Sequence, residues 1–144
     1  MARLETSRLV LRIVLAAAYL VAGFAHLRFP APFLSITPEW VPRPELVIAA
    51  TGVAEILGAT ALVAIPPLRR AAGICLALYA VCVYPANIKH AVDAVSVHGA
   101  SAWWPYHAPR LAFQPVIVWW ALFAGGLTSW PFGGKTRDRA ATET

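Results

Sequence analysis

Charge is what this sequence has least of. Only 13% of its 144 residues are Asp, Glu, Lys or Arg, where an ordinary soluble domain carries about 25%. Cysteine is nearly absent as well. Cys75 and Cys82 stand seven residues apart in one apolar block, which on a helix places them on a shared face about 10.5 Å apart along the axis. That separation excludes a disulfide on an intact helix, and the lack of any CxxC excludes thioredoxin-like chemistry; both thiols read as small packing residues. There is no haem-attachment CxxCH and no glycine-rich nucleotide fingerprint, so the chain alone is not expected to carry electrons from a soluble donor. Alternating strand patterns are missing, which argues against a membrane barrel. Internal repeats of the kind that build transporters are missing too.

What remains is a chain that is 59% hydrophobic. Its apolar residues fall into four blocks of about twenty, the length a helix needs to cross about 30 Å of hydrocarbon. The expected class is an all-α membrane protein, a four-transmembrane-helix antiparallel bundle. Its helices are expected at about 9–27, 45–65, 71–90 and 110–130, in a single domain spanning 1–130. The first block, behind MARLETSRLVLR and with Gly23 and Ala25 placed for cleavage, also resembles a signal peptide. Its length, and the apolar FPAPFLSI that follows, favour a retained first helix. Five prolines from Arg28 through Pro44 forbid a long regular helix there, so that segment is expected at the interface. Pro66-Pro67 ends the second helix, and Leu68-Arg69-Arg70 turns the chain directly into the third. The tail from 131, which contains GGKTRDRAATET, is polar and expected to be disordered.

The formal charge of +5 is not a nucleic-acid signal, because the basic residues cluster at block ends where lipid headgroups would meet them. Four crossings put Arg3, Arg8, Arg12, Arg69, Arg70, Lys135, Arg137 and Arg139 on one side and Arg28, Arg43, Lys89 and Arg110 on the other. The asymmetry favours a bacterial inner membrane protein with both termini cytoplasmic. Trp40, Trp103, Trp104 and Tyr106 then fall at the outer interface and Trp130 at the inner one. Trp119 and Trp120 fall mid-membrane, as packing residues.

Against this apolar background a few polar residues stand out. His26 lies roughly 9 Å inside the outer boundary, and Glu55 about 15 Å along the second helix. A charged side chain at such depth costs about 2.5–3.5 kcal/mol on insertion scales and needs a partner inside the bundle, or a proton. Gly52 and Gly58 beside it would let another helix approach closely. In the third helix VYPANIKHA marks the emerging end. Pro85 cannot donate to the carbonyl of Val81 and is expected to kink the helix, turning Asn87 and His90 inward on one face, while Lys89 reaches for headgroups. In the fourth, Arg110 marks the boundary and Gln114 lies about 6 Å deeper. His26, Glu55, Asn87, His90, Arg110 and Gln114 thus bring polar groups from all four helices into the outer half. They form either a small ligand or proton pocket or a network that clasps the bundle. His26, His90, His98 and His107 match no zinc spacing, and no metal is expected.

Gly23-Phe24-Ala25-His26, Pro38 and Pro42, Gly52-x-x-Glu55-x-x-Gly58, Pro85-Ala86-Asn87 and Arg110-Leu111-x-x-Gln114, taken in order across residues 8–130, resemble the DoxX-like family of small four-helix bacterial membrane proteins. Leu27 stands where relatives often carry Phe. The resemblance implies the four-helix fold and marks the same polar residues for attention. Some members look like subunits of quinone-linked sulfur oxidation or oxidative-stress complexes, and eukaryotic relatives act as assembly factors. Three functions follow as expectations. The first is a redox-associated component that binds a quinone, as a possible cofactor, or another small amphiphile in the outer-half pocket. The second is a non-catalytic assembly or partner protein working with other membrane or redox proteins or with further copies of itself. The third is a small proton-coupled transporter.

Overall fold

The computed structural model describes residues 2–132, of which residues 2 and 102–104 by their backbone alone. From residue 133 the expected disordered tail, with Lys135, Arg137 and Arg139, lies outside the described residues, as do the side chains of Trp103 and Trp104. All regular structure among the described residues is helical: α1 (Ala2–Arg28), α2 (Ala31–Ile36), α3 (Pro44–Ala64), α4 (Arg69–Cys82), α5 (Tyr84–His98) and α6 (Ala108–Ala124). Three helical stretches, Arg3–Arg28, Pro44–Ala64 and Pro66–His98, are long and apolar enough to cross a membrane. Large apolar side chains cover their outer faces, among them Val21, Phe24, Leu57 and Leu78. Such faces suit a hydrocarbon solvent and not water.

The boundaries follow local chemistry. α1 starts earlier than the apolar run because Glu5, in its first turn, pairs with Arg8 one turn on at 2.9 Å. α3 opens on Pro44, whose missing N–H would be unpaired there in any case. It closes where Pro66 forces Ile65 out of the helical region, to φ −120° and ψ 86°. A 3-10 turn at Pro66–Leu68 then leads straight into α4. The third apolar block is divided at Val83 and extends to His98, where the sequence suggests a single helix ending near His90. Its extension is supported by Lys89 and Asp93, paired at 2.5 Å one turn apart. α6 stops well short of residue 130. Gly126, at φ 82°, allows the N–H groups of Gly126 and Leu127 to turn back onto the carbonyls of Phe123 and Leu122 at 3.0 and 2.9 Å, the Schellman arrangement that ends a helix.

Small residues let the helices close on one another. A Cβ on Gly23 of α1 would stand 2.7 Å from the carbonyl oxygen of Gly52 in α3, and one on Gly73 of α4 would stand 2.8 Å from the Ala121 oxygen and the Gly125 Cα at the end of α6. Gly58 instead accommodates the side chain of Leu76. The core between α1, α3, α4 and α6 is built from Leu15, Ala16, Tyr19, Ala59, Leu62, Ala72, Leu76, Ala77, Ala121 and Ala124. At its far end Arg8 and Arg12 of α1 donate to the last carbonyls of α6: Arg8 Nε to Phe123 at 3.2 Å and Arg12 Nε to Ala124 at 2.9 Å. Cations belong at a helix C-terminus, where unpaired carbonyls gather partial negative charge. The sequence marks Arg12 as a boundary residue facing headgroups; the structure buries it against α6.

Candidate functional site

The end of the molecule opposite Arg8 and Arg12 holds the polar residues. His26 sits in the last turn of α1 and Glu55 midway along α3, and the close Gly23–Gly52 crossing brings the two side chains together. The His26 Nδ1 and Glu55 Oε2 atoms are 2.7 Å apart, with His26 8% and Glu55 3% exposed. Phe33 of α2 lies over the imidazole, ring centroids 3.8 Å apart. The expected need of Glu55 for an interior partner is met by His26.

A second cluster forms where α5 meets α6. Asn87 donates from Nδ2 to Gln114 Oε1 at 3.1 Å and accepts at Oδ1 from Arg110 Nη2 at 2.6 Å. Arg110 Nη1 donates to His90 Nδ1 at 2.8 Å. A guanidinium has no lone pair to offer, so this nitrogen of His90 must accept, and the ring carries its proton on Nε2. Gln114 Nε2 in turn donates to the carbonyl of Ala80, beside the α4/α5 break that Pro85 enforces. The four residues expected from the last two apolar blocks therefore meet in one network.

Between the two clusters lies a cavity of about 440 Å³, within the range of ligand pockets, about 300–1,000 Å³. His26 and Glu55 line it from one side and Asn87, Arg110 and Gln114 from another, while most of the remaining wall is apolar. His90 is not among the lining residues and reaches the site only through Arg110. α2 and the stretch after it contribute Phe33, Ile36, Pro38, Trp40 and Val41 to the lining.

Several residues of the site escape a reading of polarity alone. Tyr19 and Tyr79 face the cavity, their rings edge to face at 6.2 Å, and the Tyr19 hydroxyl donates to the Leu76 carbonyl at 3.3 Å. Thr51 lines the cavity one turn before Glu55. Tyrosine and threonine are common on apolar faces, and nothing in their spacing sets these apart. His107 is 5% exposed, its Nδ1 has no hydrogen-bond partner among the described residues, and its ring stands 4.8 Å from that of His90. Its position in a segment read as a loop gave no such signal. His98 is exposed on the last turn of α5, away from both clusters.

Fold and site together define an all-helical protein with membrane-length apolar helices and a cavity bounded by one buried and one partly buried polar cluster. Residues 15–125 match the family described as Domain of unknown function (DUF8561), and the chain belongs to that family. The matched region contains every residue of both clusters. No curated protein and no solved structure matches the chain.

Proposed function

We propose that this chain is a DoxX-like, four-helix antiparallel bundle of the bacterial inner membrane, with both termini cytoplasmic, that binds a quinone-like or other small amphiphile in the outer half of the bilayer. The observation that carries the reading is the 440 Å³ cavity, apolar along most of its wall and bounded by polar side chains contributed by α1, α3, α5 and α6. A ligand with a polar head and an apolar body matches such a lining, since hydrogen bonds fix the head while apolar contact supplies most of the affinity. The start of α1, the end of α3, the start of α4 and the end of α6 gather at one end. That gathering supports four crossings. A role in a redox complex rests on the resemblance alone.

A specific observation also favours the second reading, a non-catalytic assembly or partner protein. The polar side chains bond to one another, His26 to Glu55 and Asn87 to Arg110 and Gln114, as a clasp between helices would. Purification of the native chain in mild detergent, followed by mass spectrometry of bound lipids, quinones and proteins, separates the two. Ligand binding predicts a stoichiometric amphiphile that is lost when Ala22→Phe or Ala86→Phe narrows the cavity. A well-folded protein that carries stoichiometric partner protein and no amphiphile, with both variants unaltered, would leave the clasp.

A further inference from the structure

We propose that the cavity's occupant carries an anionic head, a carboxylate or a phosphate, seated on Arg110; this rests on the reading of the cavity as an amphiphile site. Arg110 is half-buried and faces the cavity. Its guanidinium donates to His90 Nδ1 and Asn87 Oδ1. Both acceptors are neutral: an amide oxygen has no charge, and an imidazole nitrogen that accepts belongs to an uncharged ring. Tyr106 offers its ring face at 5.6 Å, and that too leaves the positive charge in place.

Among the described residues the neighbouring charged groups are partnered elsewhere, Arg8 with Glu5, Lys89 with Asp93, and Glu55 with His26, an ion pair when the imidazole is protonated, and none of these pairs includes Arg110. Glu55, the carboxylate that lines the cavity, is held by His26. Asp93 is held by Lys89. Arg8 and Arg12, also without full neutralisation by carboxylates, lie on the C-terminal carbonyls of α6, where the backbone supplies negative charge. Arg110 is at the opposite end of that helix, whose first turn holds no acidic residue. A guanidinium drawn partly out of water is costly unless an opposite charge meets it. Five N–H donors, of which two are used in these bonds, leave a planar edge suited to an oxyanion. An anionic head supplies the missing charge, and its apolar body enters the apolar part of the same cavity. A neutral quinone would leave Arg110 uncompensated.

The probes are palmitate, a palmitoyl lysophosphatidate and the neutral hexadecanol, measured by equilibrium binding to the full chain in phosphatidylcholine nanodiscs. Palmitate or the lysophosphatidate should bind about tenfold or more tightly than hexadecanol, the scale of a charge-assisted hydrogen bond. Arg110→Gln should remove that advantage, so that palmitate and hexadecanol bind with similar affinity, whereas Arg110→Lys should retain most of it. The preferred anion tells a free fatty carboxylate from a lipid phosphate. Should Arg110→Gln fail to fold, the comparison of palmitate with hexadecanol on the unaltered chain still decides. Equal binding of the charged and neutral probes, or full retention of palmitate in a folded Arg110→Gln protein, overturns the anionic head and leaves the amphiphile reading standing. Absence of binding by every probe overturns the anionic head, and the amphiphile reading is then decided by what mass spectrometry finds bound to the native chain.

Discussion

A carboxylate and an imidazole that meet inside an apolar protein carry no net charge when a single proton lies between them, whichever atom holds it. His26 and Glu55 are 2.7 Å apart and almost fully buried, and no other charged side chain is hydrogen-bonded to the pair among the described residues. Glu55→Gln keeps a hydrogen-bonding partner for His26 but cannot exchange a proton. Its melting should therefore change little, since polar contacts between membrane helices average about 0.6 kcal/mol. Glu55→Leu strands the imidazole and should cost more, about 1–3 kcal/mol, read as thermal unfolding in detergent. Equal melting of the two variants would remove any role for the pair in the fold. If Glu55 also serves as a proton site, ligand binding that varies with pH in the native protein becomes independent of pH in Glu55→Gln. At this scale polarity was legible: Glu55 and Gln114 stand out because an apolar block has few other uses for them. Tyr19, Tyr79 and Thr51 were not, because the same residues pack equally well without a ligand. Arg12 misled, since a basic residue at a block's edge reads as a headgroup contact until its acceptor, the Ala124 carbonyl, comes into view.

Helices interrupted by proline leave carbonyls without their usual donors, and here each of two interrupted helices sends a side-chain donor to the other's backbone near its proline. Pro85 enters the α4/α5 junction, and the ladder resumes with the N–H of Asn87 on the carbonyl of Val83 at 3.2 Å. Gln114 of α6 donates to Ala80 just before the break. Pro115 within α6 cannot serve the carbonyl four residues earlier, that of Leu111. The Tyr84 hydroxyl at the start of α5 points to that oxygen at 3.5 Å, a long contact that a small movement would close. An interruption near Pro85 was legible because proline's missing N–H is a local fact. The brace was not, since it depends on which helix faces the break. Pro85→Ala restores a donor and should let the helix run through Val83, carrying Asn87 off Arg110 and Gln114. A structure of the variant with those hydrogen bonds intact would show that α6, and not the proline, positions Asn87. At the other end of α4, Gly73→Leu must drive side-chain atoms into the Ala121 oxygen and Gly125 Cα. Backbone cannot yield as a flexible side chain can, so the cost should be at least the 1–3 kcal/mol or so typical of overpacking. Gly58→Ala, which meets only Leu76, should be milder in the same melting assay.

For the whole molecule, the gathering of helix ends sorts the charges by what engages them, where the sequence sorts them only by their count along the chain. Arg8 and Arg12 are engaged by the end of α6, Lys89 is paired with Asp93, and Arg110 faces the cavity. Among the described cations that define the two ends, Arg3, Arg69 and Arg70 are then left at one, Arg69 donating to the Val63 carbonyl at 3.2 Å, and Arg28 and Arg43 at the other. The bias towards the end with the 66–68 turn persists, and basic residues near helix ends are retained on the cytoplasmic side. Exposed positions on the two sides, Leu68 and Ser101, can report it. The native Cys75 and Cys82 are themselves exposed, so both must first become alanine. In that background an impermeant thiol reagent applied to intact cells should label Ser101→Cys and not Leu68→Cys, and after lysis it should label both. Labelling of Leu68→Cys alone in intact cells would invert the topology and place the cavity in the inner half of the bilayer. Labelling of both in intact cells would mean that Pro44–Ala64 and Pro66–His98 do not cross as a hairpin, and with that the four-crossing arrangement would fall.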